Sequence, residues 1–282
     1  MNSLDRHEFA AERAPDASYT TIHPRSEPTG PQKRDLIAGL EKGLSVIAAF
    51  DQDRPRLTMT EVAGLCGLTR AAARRYLITL EHLGYVTSDR KMYALTPKVL
   101  RLGQSYMHSA RLPRIVQPEL QKLAYAMKEA SAAGVLDGAD VICIAATSAG
   151  RAVSSTFTLQ PGTRVPAYCT ANGRVLLSAL PQAEVDAFIA RQTLAPLTTN
   201  TITSPERLRS EIARARSQGY ATVDQELELG LRTISVPLKS YRGDVLAAMN
   251  ISVHATRVTM DQLVNDCLPA LLQAQASLRT VL

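Results

Sequence analysis

Three arginines dominate a first look for chemistry, because Arg70, Arg74 and Arg75 sit in the run Thr69-Arg70-Ala71-Ala72-Ala73-Arg74-Arg75-Tyr76. On a helix turning about 100° per residue, Arg70 and Arg74 lie one turn apart on a shared face. Arg75 points almost opposite Ala73, with Arg74 and Ala71 to either side of it. A guanidinium in a DNA groove pairs bidentately with guanine O6 and N7, or grips a phosphate. Small Ala71 and Ala72 leave room for close approach to the groove. Thr69 stands at the helix start, where free backbone N–H groups suit a phosphate contact. Arg90 and Lys91 fall in a polar turn further on and suit the DNA backbone or the adjacent minor groove. Taken alone, R-A-A-A-R-R also describes a solvated helix face, so the surrounding elements must decide.

Those elements are in register. Leu40, Leu44, Ile47 and Ala48 recur at helical spacing and give an amphipathic helix ending near Phe50, broken by Pro55. Thr58 and Glu61 form a capping box for a short helix holding Val62, Ala63 and Leu65, which Gly67 ends. Thr69 caps a longer helix with an inner seam of Ala73, Tyr76 or Leu77, Leu80 and Leu83, stopped by Gly84. Two β-rich runs follow around Ser88-Asp89-Arg90-Lys91 and read as a hairpin. This is the order of a winged helix–turn–helix, whose second paired helix enters the major groove by its N-terminal end. The unit spans residues 35–96, with the helix–turn–helix at about 58–77. Its reading surface is Thr69, Arg70, Ala71, Arg74 and Arg75, with Tyr76 assigned to the seam and Arg90 and Lys91 to the wing.

A second candidate site begins at Pro166-Ala167-Tyr168-Cys169-Thr170-Ala171-Asn172-Gly173, a loop running into a helix. Its exposed N–H groups and positive dipole end favour a carboxylate. Other chemistry is poorly served. Cys66, Cys143, Cys169 and Cys267 are scattered, without a C-x-x-C pair or a histidine at metal spacing. Of the histidines His7, His23, His82, His108 and His254, only the last lies in the second half. No Ser/His/Asp array, P-loop or G-x-G-x-x-G occurs, so neither catalytic residue, metal nor cofactor is expected. Asp224, Glu226 and Glu228 alternate as one polar strand face would. Cys169, just before a helix where its thiolate would be stabilised, leaves a thiol-dependent enzyme as the remote alternative.

The rest of the chain supports two domains. It has 282 residues, a formal net charge of +6 and 45% hydrophobic residues. The N-terminus is charged throughout and reads as no secretory signal, and no apolar stretch is long enough to span a bilayer, so a cytoplasmic protein is expected. Residues 1–34, with Pro15, Pro24, Pro28, Gly30 and Pro31, read as a disordered tail. Thr96 and Pro97 start a linker helix over 97–112, carrying Val99, Leu102, Tyr106 and Ala110 on one face and ending before Pro113. Another helix holds Leu120, Leu123, Ala124 and Met127. Strands are expected at VICIAAT, Val153 to Leu159, Gly219 to Val223, RTISVPLK and DVLAAMNISVHA. Helices are expected at Thr170 to Ala179, Gln182 to Arg191 and Ser204 to Gln218. The last helix, from Thr259, carries Leu263, Cys267, Leu271 and Leu278, making residues 113–282 an α+β domain.

The segments GLEKGLSVIAAF and TMTEVAGLCGLTRAAARRYLITLEHLGYV resemble the DNA-binding half of IclR-type bacterial transcription regulators. GTRVPAYCTANGRVLLSALP, QGYATVDQELELGLRTISVPLKSYRGDVLAAMNISVHATRVT and LPALLQAQASLR resemble their C-terminal half, in the same order. The phrase GLTRAAARRYLITLEHLGYV, with PRLT before it and PAYCT after, is most similar to the PcaR/PcaU/PobR branch. That resemblance implies a GAF-like effector-binding domain for a small organic acid, and dimers or tetramers on a palindromic operator. It implies linker-helix dimer contacts and control of protocatechuate, 4-hydroxybenzoate or β-ketoadipate catabolic genes. It carries over Thr170, Ala171 and Asn172 as one pocket wall, with Asp224, Thr233, Asn250 and Ser252 facing them. A regulator of another small-carboxylate pathway (glyoxylate, pyruvate or a sugar acid) is the alternative.

Overall fold

Helix α1 (Ala38–Ala48) opens the N-terminal unit of the computed structural model, which describes residues 33–51, 53–148 and 159–282. The tail expected over residues 1–34 lies almost wholly outside them. Strand β1 (Leu57–Thr58) leads into α2 (Met59–Leu65) through the capping box. The Thr58 hydroxyl accepts the Glu61 N–H at 3.3 Å, and the Glu61 carboxylate accepts the Thr58 N–H at 2.7 Å. Gly67, at φ +62°, makes the left-handed turn into α3 (Arg70–His82). Strands β2 (Val86–Asp89) and β3 (Met92–Leu95) form the wing, and β1 joins β3 in a three-stranded antiparallel sheet.

Two seams differ from the sequence reading. In α1 the buried residue is Val46, with Phe50 beyond the helix end, whereas Leu40 and Leu44 are 61% and 53% exposed. Glycines rather than leucines face α3, with Gly39 and Gly43 lying against the Tyr76 side chain. In α3, Ala73, Leu77 and Leu80 are buried and Tyr76 packs at the edge of the same core. Leu83 is exposed, because it is the C-cap residue and lies past the last inward-facing turn.

The linker also differs. A 3₁₀ turn (Pro97–Val99) leads into α4 (Leu100–Ser109), and Ala110 then breaks the helix in an extended conformation. Residues 111–112 already belong to α5 (Arg111–Met127). Pro113 therefore does not stop a helix but sits in the first turn of one, where its missing N–H had no acceptor to lose.

The C-terminal domain is built on a six-stranded antiparallel sheet in the order β6-β5-β4-β9-β8-β7. Its strands are β4 (Ala130–Asp137), β5 (Asp140–Thr147), β6 (Arg164–Pro166), β7 (Ala221–Asp224), β8 (Leu231–Lys239) and β9 (Val245–His254). Sequence reading did not anticipate β4 and β6, and most of its expected strand at 153–159 falls outside the described residues. Helices α6 (Ala171–Ser178), α7 (Gln182–Arg191) and α8 (Pro205–Gln218) lie between β6 and β7. After β9 come α9 (Met260–Gln262), a π turn (Leu263–Cys267) and α10 (Leu268–Leu278). One face of the sheet packs on α5 and α10, burying Met249, Ile251 and Val253 with Leu263, Cys267, Leu271 and Leu278. The other face meets α6, and α8 packs beside α6 and β7. The strand period of two therefore turns Ala248, Asn250 and Ser252 toward α6. That alternation places two polar residues under the helix start.

Candidate functional site

The reading helix holds its cations outward. Arg70, Ala71, Arg74 and Arg75 are all exposed. The Thr69 hydroxyl accepts the Ala72 N–H at 3.2 Å, which fixes the N-terminus of α3. The wing is tied to this helix by Ser88, whose hydroxyl donates to Glu81 at 2.6 Å, and to the residue before β1 by the Arg56–Asp89 pair at 3.3 Å. Arg90 and Lys91 occupy a two-residue turn between Asp89 and Met92, with φ +48° and +72°. Both are left-handed, the backbone of a type I′ hairpin that normally selects Asn-Gly. Local preference does not put Arg and Lys there, and both side chains are exposed at the tip.

The second site is a cavity of about 330 Å³ between α6 and the sheet. Thr170, Ala171 and Asn172 form one wall, and Thr233, Asn250 and Ser252 rise from β8 and β9 opposite. Ala132, Val141, Val165, Leu227 and Leu231 supply much of the apolar surface. Thr170 caps α6, its hydroxyl accepting the Gly173 N–H at 3.2 Å. The N–H groups of Ala171 and Asn172 are left without an intrahelical acceptor, as at any helix start. Gly173 is required there, because a Cβ would stand 2.0 Å from the Ala167 carbonyl oxygen.

A directional chain of hydrogen bonds lines the floor. Ser235 donates to Asn172 Oδ1 at 2.6 Å, and Asn172 Nδ2 donates to Asn250 Oδ1 at 3.4 Å. Asn250 Nδ2 then donates to Ser252 Oγ at 2.9 Å, leaving the Ser252 hydroxyl proton to point elsewhere. Among the described residues, no lysine, arginine or histidine lines the cavity. Among the described residues, an anion there would be met by helix N–H groups and neutral donors. Arg164 is not a counter-charge, since it is half-exposed and bridges Asp137 at 2.7 Å and Asp140 at 3.1 Å.

Asp224 does not stand where the resemblance implies. It does not line the cavity; Val223 does, and adjacent strand residues face opposite ways. Its carboxylate takes the Arg232 Nε–H at 2.7 Å. Burial works against the charge, but Arg232 holds the Asp224 carboxyl below the usual range. The expected polar strand face of Asp224, Glu226 and Glu228 is also absent. Strand β7 stops at Asp224, because Gln225 turns left-handed at φ +59°, and Glu226 is buried beyond it.

The two thiols beside the cavity are unsuited to catalysis. Burial pushes the Cys169 thiol up to about 12 and that of Cys143 up to about 11. Cys169 precedes the Thr170 cap and lies in the core, so the helix start does not stabilise its thiolate as the sequence suggested. Cys143 and Leu227 line the cavity without having been singled out in the sequence. Cys143 could have been found from β5 alternation once β4 was known; Leu227 lies in a connection with no period to read.

Residues 39–90 match the family profile described as IclR helix-turn-helix domain, and residues 104–279 match Bacterial transcriptional regulator IclR C-terminal. The chain belongs to the IclR family. This regulator is 41% identical to the Pca regulon regulatory protein of Pseudomonas putida, over 86% of this chain and 84% of that one. It is 36% identical to the p-hydroxybenzoate hydroxylase transcriptional activator of Acinetobacter baylyi, over 88% and 92% of the two chains. A solved structure from Acinetobacter, a double mutant of the PobR inducer binding domain with 3-hydroxybenzoic acid, matches at TM-score 0.58 and 29% identity. That match covers 61% of this chain and 100% of the other. The IclR-family regulator is thus a DNA-binding transcription factor with an effector domain, not an enzyme. No helix among the described residues is long and apolar enough to cross a membrane.

Proposed function

We propose that this regulator controls genes for aromatic-acid breakdown by binding a hydroxybenzoate-class acid in the cavity beside α6. Its similarity to the Pseudomonas and Acinetobacter regulators supports the pathway. The single observation that carries the effector class is the cavity itself: about 330 Å³, largely apolar, with neutral donors and a helix N-terminus at one wall. A benzene ring fits the apolar part, and its carboxylate takes the Ala171 and Asn172 N–H groups. Thr170, Thr233, Asn250 and Ser252 supply the remaining polar contacts.

On DNA, Arg74 and Arg75 read base edges in the major groove, with Arg70 and Thr69 on phosphate and Ala71 permitting close approach. Arg90 and Lys91 reach the backbone or minor groove beside it. Two copies read a palindromic operator. Exposed Leu100, Leu102 and Tyr106 on α4, with Leu40 and Leu44 on α1, are the apolar faces such a pairing would cover.

A thermal-shift panel of protocatechuate, 4-hydroxybenzoate, β-ketoadipate, glyoxylate and pyruvate tests the effector class. A ligand of the native state raises the melting temperature. The expected result is a rise with an aromatic acid and none with glyoxylate or pyruvate. The reverse ranking would move the regulator to another carboxylate pathway.

A further inference from the structure

Arg174 is the one arginine or lysine that is buried among the described residues, at 2% side-chain exposure, and it does not line the cavity. It lies one turn into α6, its N–H bonded to the Thr170 carbonyl that opens the helix. Its Nη2 donates to Glu226 Oε2 at 2.7 Å, and Glu226 is itself buried. The same Glu226 oxygen accepts the Ile202 N–H at 3.2 Å, while the Glu226 carbonyl accepts the Thr201 hydroxyl at 2.6 Å. The next residue is Leu227, which with Leu231 covers part of the cavity. Left-handed Gln225 holds the other side of this connection, its side chain accepting the Gly230 N–H at 2.9 Å. Arg174 also lies 4.0 Å from Glu211 and 3.5 Å from the Thr222 carbonyl, but its short bond to Glu226 is what joins the helix that offers N–H groups to the segment that supplies apolar cover.

Stability does not explain such a pair, since well-packed apolar residues of similar volume often replace a buried ion pair without loss. A charged bond fixes distance and direction in a way that apolar contacts do not. Among the described residues the Arg174 Nε has no hydrogen-bond partner, so the pair carries an unsatisfied buried donor.

We propose that Arg174 and Glu226 are positioning residues for effector recognition. They hold Leu227 at a set distance from the α6 N-terminus, so that an aromatic acid meets its N–H donors and its apolar cover together. This rests on the cavity being the effector site.

Full-length Arg174→Met/Glu226→Leu protein tests it, titrated calorimetrically with 4-hydroxybenzoate and protocatechuate beside wild type. The expected double variant melts at or above the wild-type temperature and binds operator DNA equally well without acid. Its effector Kd is weaker by about tenfold or more. Arg174→Lys, which keeps a donor for Glu226, recovers most of that affinity. Wild type that binds neither acid overturns the cavity reading and this proposal with it. Wild type that binds, with a double variant of equal affinity, overturns the positioning role alone. Should the double variant lose its cooperative melt, Arg174→Leu/Glu226→Met, which also removes both charges, carries the same comparison, and unchanged affinity there also overturns the role.

Discussion

The reading helix and the effector cavity hold polar groups in opposite ways. On α3 the arginines stand in solvent, and the helix is held by Ala73, Leu77 and Leu80 on its other side. In the cavity, Asn172, Asn250 and Ser252 are buried and bonded to one another, so the groups that meet a ligand also satisfy the core. A surface site can be erased with the fold intact. A buried site is erased only at a cost in stability, because each removal strands a partner.

The strongest way to sharpen that contrast is to break the pair behind the cavity from one side. Arg174→Met alone leaves Glu226 buried without its cation and should cost about 3–5 kcal/mol, read by chemical denaturation. An unchanged transition would show that the pair is solvated in solution. The matching change on the reading side is Arg75→Ala. Operator affinity should fall by about tenfold or more while the melting temperature stays within a degree or so of wild type. Wild-type footprinting by that variant would remove Arg75 from the reading surface.

The legibility of the two regions follows the same divide. Thr58, Glu61, Thr69, Gly67 and Gly84 are local signals, each needing only its near neighbours, so the reading unit was visible residue by residue. The cavity is made of long-range pairs such as Asn172 with Asn250 and Arg174 with Glu226. No period or cap encodes those, and the pocket wall at Thr170 to Asn172 came from family resemblance. Strand β4 was missed because Ala130-Ser131-Ala132-Ala133-Gly134 is poor in β-branched residues, its pairing to β5 and β9 overriding propensity. Asp224 is carried over by the resemblance alone, and a strand position says which face a side chain takes only when its neighbours' faces are known.

A smaller effect separates strain from function at the wing. Replacing Arg90 and Lys91 by Asn and Gly suits the left-handed turn and should raise stability by about 1 kcal/mol. The same change should weaken DNA binding and flatten its salt dependence by roughly two counterions. Weaker DNA binding with no gain in stability would mean that the turn is unstrained.

That a bound aromatic acid governs what the reading helix does is directly testable. It is tested by footprinting and in vitro transcription at the regulator's operator, with and without saturating 4-hydroxybenzoate or protocatechuate. Wild type should change its footprint, affinity or transcript yield with one acid, with a coupling of about 1–3 kcal/mol where affinity responds. An Asn250→Leu variant should bind DNA normally and ignore the acid. Identical footprints, affinities and transcripts with and without either acid would show that neither acid controls the reading helix.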